Sequence, residues 1–150
     1  MDNYNSEMET RVWKRVRGEA CEEQPQAGLQ CLAAAELAES TVYLMLSRQL
    51  QGHEKAILRQ LFEEEQYHAC CLKGMHLLTT GTPLSLRTPP PVPETPELAL
   101  RKCYARTLQA LKEYESRREH PEYGHVFRQL AEDERKHCFM ILELLGRTKR

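Results

Sequence analysis

The sequence has no long apolar segment and no excess of charge of either sign. No stretch approaches the ~20 consecutive apolar residues that a membrane-spanning helix needs, so we expect a soluble protein. The chain has 21 basic and 22 acidic residues and a formal net charge of −1. This balance gives no reason to expect nucleic acid or an anionic membrane as a partner.

The sequence also lacks closely spaced cysteine pairs. None of its six cysteines forms a Cys-x-x-Cys motif, which excludes a rubredoxin-type or zinc-ribbon site within this sequence. All except Cys21 fall inside predicted helices, so we expect reduced thiols. Residues 1–19 mix charges throughout and lack the apolar stretch of a secretory signal. We therefore expect a cytoplasmic protein.

Proline is concentrated in one segment. Five of the eight prolines lie in residues 79–94, which therefore cannot be helical. The 14 residues 81–94 span roughly 43 Å at about 3.1 Å per residue, whereas a helix of about 24 residues is about 36 Å long. The segment is long enough to run the length of a helical bundle. It therefore predicts that the helices before and after it are parallel.

Four segments of residues 28–150 repeat their core positions at spacings of three and four, which is typical of helices packed in a bundle. Residues 1–27 are predicted to be an N-terminal arm or short helix. The predicted inward positions are Leu29, Leu32, Glu36, Glu39, Tyr43, Leu46 and Leu50 on the first helix; Leu58, Leu61, Glu65, His68, Leu72 and Met75 on the second; Leu100, Cys103, Thr107, Ala110 and Tyr114 on the third; and Phe127, Leu130, Glu134, His137, Ile141 and Leu144 on the fourth.

A ten-residue phrase occurs twice, as RQLFEEEQYH ending at His68 and as RQLAEDERKH ending at His137. Each copy closes on Glu-x-x-His, with Glu65 in the first and Glu134 in the second. A carboxylate and an imidazole three residues apart share one helix face and can hold a metal ion between them. The other acids of the two phrases, Glu63, Glu64, Glu132 and Asp133, are predicted to form a solvated face.

Burial of the glutamates in the predicted stripes requires positive charge. An unpaired buried carboxylate costs several kcal/mol, and no Lys or Arg occupies the stripes. Two divalent cations would supply the charge. Mixed carboxylate and imidazole ligands suit iron or manganese, and zinc less well. The alternative is a structural network of buried hydrogen bonds.

The paired Glu-x-x-His motifs, the Glu36 that precedes Tyr43 by seven residues, and the proline-rich crossover resemble the ferritin-like diiron carboxylate proteins. The closest resemblance is to rubrerythrin-type proteins that lack the rubredoxin domain, and it covers roughly residues 28 to 147. It implies an all-α, ferritin-like antiparallel four-helix bundle with one long crossover between helices two and three. It also implies two iron ions, for which the bridging carboxylates, terminal imidazoles and first-helix terminal carboxylate would be Glu65 and Glu134, His68 and His137, and Glu36, respectively.

The third helix departs from the pattern of that family. Thr107 stands where the internal pseudo-symmetry requires a glutamate, and Ala110 occupies the next stripe position. Glu39 is a surplus acid on the first helix, and we expect it to compensate as a ligand in an asymmetric site. A single ion or a weakened second position remains an alternative. Tyr43 and Tyr114, which are in register, are candidate catalytic residues or core residues with a hydroxyl partner.

The resemblance implies a non-haem diiron oxidoreductase. Its expected substrate is hydrogen peroxide or dioxygen, and its electrons are expected from a separate donor protein because the chain contains no second cluster-binding domain. The resemblance also implies a homodimer. Two alternatives remain open: a ferroxidase or iron-handling protein, and a non-enzymatic helical module with a degenerate metal site.

Overall fold

The computed structural model describes residues 28–148. These residues form four α-helices and no strand: α1 Leu29–Gln49, α2 Gly52–Thr80, α3 Pro96–Glu115 and α4 Gly124–Arg147. The predicted all-α four-helix bundle is therefore confirmed. The arm predicted for residues 1–27 lies outside the described residues. None of the four helices combines the length and apolar character needed to cross a membrane.

Local sequence signals define the ends of the proline-rich segment. Gly81 ends α2 in the left-handed conformation, with φ of 73°, and its N–H donates to the carbonyl of Leu77. Glycine adopts this conformation without the steric cost that a Cβ atom imposes. Thr95 caps α3 by accepting a hydrogen bond from the Leu98 N–H at 3.4 Å. Pro96 follows at the first helical position. Proline has no backbone N–H, and an N–H at this position would have no partner within the helix.

Two apolar clusters fill the bundle, one toward each end. Each receives side chains from all four helices, and the clusters share no residue. The start of α2 and the start of α3 belong to the same cluster, so these two helices run in the same direction. Leu84 and Leu86 of the connecting segment pack against the other cluster. The first cluster contains Tyr43, Leu46, Ile57, Leu58, Leu61, Ala99, Leu100, Cys103, Ile141 and Leu144; the second contains Leu32, Ala33, Leu72, Met75, Tyr114, Phe127, Leu130 and Ala131.

The chain forms two helical hairpins that meet face to face. Helix α1 packs along α2, and α3 packs along α4; the hairpins contact each other through α2 with α4 and through α1 with α3. On every helix, the residues between the two apolar clusters include the polar stripe positions predicted from the sequence. The fold therefore gathers those positions into one buried layer near the middle of the bundle.

The cysteines of the described residues are not all in the same state. Cys70, Cys71, Cys103 and Cys138 are free thiols, as expected from the sequence. Cys31, near the start of α1, is disulfide-bonded, so the expectation of reduced thiols is wrong for this residue. Cys103 and Cys138 are buried, which fits the behaviour of cysteine as a small apolar side chain.

The core position Leu58 provides a test of this packing. It is fully buried in the cluster at the start of α2, whereas Leu78 on the same helix is 78% exposed. We expect Leu58→Ala to lower the free energy of unfolding by about 2–5 kcal/mol because it removes buried methyl groups and leaves a cavity. The matched change Leu78→Ala is expected to stay within about 0.5 kcal/mol. Urea denaturation measures both, and equal losses would contradict the assigned core.

Candidate metal centre

A layer of polar side chains separates the two apolar clusters. Each helix contributes to it, and none of the contributing residues is more than 4% exposed. All six metal ligands predicted from the sequence lie in this layer, together with the threonine that replaces the expected glutamate of α3. The layer contains Glu36, Glu39, Glu65, His68, Thr107, Glu134 and His137.

Four of these residues form a compact group that could hold a metal ion. Glu36, Glu65, His68 and Glu134 each offer one ligand atom, and these atoms all lie within 4.8 Å of one another. Ligand atoms that are each ~2.0–2.2 Å from a common ion lie up to about 4.4 Å apart. A slight contraction of the group would therefore bring all four atoms to coordinating distance. The donors are three carboxylates and one imidazole.

The two Glu-x-x-His glutamates lie between the two histidines. Oε2 of Glu65 is 3.7 Å from His68 Nδ1, and its Oε1 is 2.9 Å from His137 Nδ1. Oε1 of Glu134 is 3.2 Å from His68 Nδ1, and its Oε2 is 3.5 Å from His137 Nδ1. Each carboxylate thus presents one oxygen to each histidine. The imidazole rings are stacked, with their centroids 5.4 Å apart.

Several atoms at the centre of this layer have no hydrogen-bond partner. Both carboxylate oxygens of Glu65, Oε2 of Glu134 and Nδ1 of His137 are buried and unsatisfied. The close approach of His137 Nδ1 to Glu65 does not have the alignment of a hydrogen bond. Buried polar groups are usually paired because an unpaired one costs about 1–3 kcal/mol, and more if charged. Both histidines lie within ion-pair distance of Glu65, but hydrogen bonds from the protein leave this network incomplete, and the donor set fits a bound cation.

The outer nitrogen of each histidine is held by the other copy of the repeat. His68 Nε2 lies 2.9 Å from an oxygen of Asp133, and His137 Nε2 lies 3.0 Å from an oxygen of Glu64. The prediction of a solvated face is therefore wrong for Asp133, whose side chain is 17% exposed, whereas Glu64 is 37% exposed and contacts His137 as well. These acids orient each ring so that Nδ1 faces the shared carboxylates, as acids behind metal-binding histidines commonly do. In the sequence, this orienting role is indicated only by the acid that immediately precedes Glu-x-x-His in both phrases.

The two carboxylates of α1 are held by the tyrosines. Glu39 Oε1 accepts hydrogen bonds from Tyr43 at 2.7 Å and from Thr107 at 3.0 Å. Glu36 Oε1 accepts a hydrogen bond from the Tyr114 hydroxyl. Burial, reinforced by nearby carboxylates, raises the pKa of both tyrosines well above their usual range, so they remain protonated donors. Each candidate catalytic tyrosine is thus in contact with an α1 carboxylate.

Protonation provides the charge balance in the metal-free protein. Burial lowers the pKa of His68, but contacts with Asp133, Glu134 and Glu65 outweigh this effect and raise it to about 12. The same opposition between burial and nearby acids raises the pKa of His137 to about 11. Both histidines are therefore imidazolium ions near neutral pH. A metal ion that binds Nδ1 of either ring must displace a proton.

Comparison with protein-family models, characterised proteins and solved structures gives no match for this chain. The class of protein is therefore defined by fold and site alone. It is an all-α four-helix bundle with a buried glutamate and histidine cluster that could hold a metal ion.

The buried carboxyl group of Glu39 should make the stability of the protein depend on pH. Burial raises its pKa from 4.5 to about 7, despite the opposing hydrogen bond from Tyr43. The folded state therefore holds this proton more tightly than the unfolded state does, and stability falls as the pH rises from 4.5 to about 7. Between pH 5 and 8, the free energy of unfolding of the metal-free protein should fall by about 2–3 kcal/mol more than that of the Glu39→Gln variant.

Denaturant titrations in the presence of a chelator, at several pH values, measure this difference. The matched control is Glu63→Gln, because Glu63 is an exposed acid on α2. Its pH dependence should follow that of the unmodified protein. Parallel curves for the unmodified protein and Glu39→Gln would show that Glu39 does not hold a proton in the folded state.

The acids that hold the outer nitrogens of the histidines should contribute to metal affinity. Asp133→Asn and Glu64→Gln are each expected to lower metal affinity by roughly 10–100-fold, because each removes the acceptor that orients one imidazole. Competition with a chromophoric chelator measures the change. Glu132→Gln and Glu63→Gln are matched controls in exposed positions adjacent to these acids. An effect of equal size in the controls would indicate a general electrostatic contribution.

Proposed function

We propose that the protein is a non-haem diiron oxidoreductase of the ferritin-like, rubrerythrin-type class that reduces hydrogen peroxide. The observation that carries this proposal is the placement of Glu65 and Glu134, each with one oxygen toward His68 and the other toward His137. Carboxylates in such positions can be shared by two ions. The unsatisfied atoms of both glutamates support this assignment.

The layer offers donors for two unequal ion positions. One position has Glu36, His68 and the two shared carboxylates, which form the compact group. The other has His137 and the shared carboxylates, with Glu39 as the nearest substitute for the carboxylate that α3 lacks. Imidazole and carboxylate donors together favour iron or manganese over calcium or magnesium, and zinc is less suitable. We therefore expect the two positions to differ in affinity.

Reduction of one hydrogen peroxide molecule to two water molecules consumes two electrons and two protons. Two bound iron(II) ions would supply the electrons and polarise the peroxide oxygens. The chain itself holds protons close to the centre, on the hydroxyls of Tyr43 and Tyr114. We propose that these groups deliver protons and that a separate donor protein returns the electrons.

One observation favours a structural alternative. The two imidazolium rings already neutralise part of the carboxylate charge without metal, and His68 Nδ1 makes a hydrogen bond of 3.2 Å to Glu134. Such a network would serve as the polar core of a non-enzymatic helical module. However, it leaves both oxygens of Glu65 without a hydrogen-bond partner. A bound metal ion would supply a partner for them.

The proposal is tested by loading the purified protein with ferrous iron without oxygen. We expect up to two iron ions per chain, a rise in melting temperature because metal binds only the folded state, and a change in visible absorbance on addition of peroxide. Peroxide should then be consumed in proportion to the reductant supplied. Release of ferric iron without continued turnover would instead identify an iron-handling protein.

Substitutions of the two shared carboxylates provide a further test. Glu65→Gln and Glu134→Gln should abolish both the rise in melting temperature and peroxide consumption, while Glu63→Gln should preserve them. Loss of a shared carboxylate removes a ligand from both ion positions, so its effect should exceed that of Glu39→Gln. Absence of bound metal together with an unchanged melting temperature would refute the proposed function and favour the structural network.

A further inference from the structure

A cavity of about 180 Å³ lies between α1 and α3 at the edge of the polar layer. Its α1 wall includes Glu36 and Glu39, and its α3 wall includes Arg106, Gln109 and Ala110. The cavity, whose surface is mainly apolar, is thus lined by both α1 acids of the candidate metal centre. It belongs to the only pair of facing helices in the described bundle that contributes no histidine to that centre.

The cavity occupies the place of a side chain that the internal repeat would provide. The register that aligns Tyr43 with Tyr114 also aligns Glu39 with Ala110. A glutamate at Ala110 would project its carboxylate from α3 toward the layer, whereas alanine supplies only a methyl group. Helix α3 therefore leaves empty volume on the side of the layer where it also lacks a ligand.

The size of the cavity exceeds what peroxide alone requires. A single water molecule needs about 10–15 Å³ of volume measured in this way, so about 180 Å³ accommodates a molecule with several non-hydrogen atoms. The cavity is large enough for a small organic molecule.

Charges around the cavity define the chemistry of its occupant. The guanidinium of Arg106 donates to Cys103 Sγ at 3.5 Å on the α3 side, and it forms no ion pair with a carboxylate of residues 28–148. Opposite it are the acids Glu36 and Glu39, and Glu113 lines the α3 side, so the wall has more acidic than basic groups and does not favour an anion in the metal-free protein. When cations are bound in the layer, this excess of acidic groups is offset, and Arg106 adds further attraction. An anion is therefore favoured only in the metal-loaded state.

We propose that this cavity binds a small monocarboxylate, such as acetate or propionate, which supplies at Ala110 a counterpart to the Glu39 carboxylate that α3 lacks. The inference rests on the proposed metal centre and deepens it by assigning a class of ligand to the same site. The carboxylate group faces the layer beside Glu36 and Glu39. The short apolar part lies against Ala35 and Ala110, and Arg106 provides a positive charge at the α3 wall.

The test uses the full chain loaded with cobalt(II), whose visible spectrum reports on its ligands. Metal binding is established first by chelator competition, independently of any activity. Acetate is then titrated at constant ionic strength, with chloride as the control anion. We expect a saturable spectral change and saturable heat of binding with the metal-loaded protein, and neither with the metal-free protein.

Variants of the cavity wall provide the decisive comparison. Ala110→Leu fills the cavity and should abolish the acetate response while cobalt still binds. Ala105→Leu, the same change at an exposed position of α3 outside the cavity wall, should preserve the response. Ala110→Glu should reproduce, without acetate, the spectrum of the acetate-bound protein. Arg106→Gln should weaken acetate binding by roughly two- to fivefold, the range expected for a solvent-exposed charge pair, and Arg101→Gln should have no effect.

The outcomes separate this inference from the metal proposal. Failure to bind cobalt, iron or manganese refutes the metal centre and, with it, the ligand site. Tight cobalt binding without any response to acetate refutes the ligand site alone. An acetate response that persists in Ala110→Leu means that acetate reaches the metal by another route, which also overturns the inference. Binding of acetate to the metal-free protein would contradict the requirement for bound cations.

Discussion

The structure depends on one electrostatic constraint: four glutamates are buried in a single layer of a bundle that has apolar side chains on both sides of it. Water cannot solvate these carboxylates, so their charge must be balanced by protons, imidazolium rings or metal ions. In the metal-free protein the balance is met by protonated histidines and by a Glu39 carboxyl that retains its proton up to about pH 7. This solution still leaves the oxygens of Glu65 unsatisfied, and the incomplete pairing connects the fold to the proposed metal chemistry.

The layer is symmetric at its centre and asymmetric at its edge. Helices α2 and α4 each provide a glutamate, a histidine and an acid that holds the opposite histidine. Helices α1 and α3 do not match in this way, because α1 provides two carboxylates and α3 provides the hydroxyls of Thr107 and Tyr114. The shared carboxylates therefore define where ions would bind, whereas the unequal pair of helices would determine how the two positions differ and which molecules reach them.

Periodicity alone predicts the four helices and their inward faces, because a bundle helix must place its core residues at spacings of three and four. It also predicts that Glu65, His68, Glu134 and His137 face inward. It does not reveal that Asp133 and Glu64 cross to the opposite histidine, since both lie next to the stripe and their contacts depend on the distance between α2 and α4. The disulfide of Cys31 and the hydrogen bond from Thr107 to Glu39 are likewise products of tertiary geometry. Local sequence patterns carry no information about such distances.

The exchange of acids between the two repeats has a consequence for how the chain could be assembled. Each hairpin holds a histidine whose orienting acid is on the other hairpin, so neither half contains a complete set of interactions by itself. Two identical hairpins related by a two-fold axis would satisfy the same exchange, since a contact from one to the other is then repeated in reverse. In this chain, residues 81–95 connect the two halves covalently and keep them at a fixed ratio of one to one. Because the halves are joined in one chain, they need not be identical. Helices α1 and α3 can therefore carry different side chains at equivalent positions.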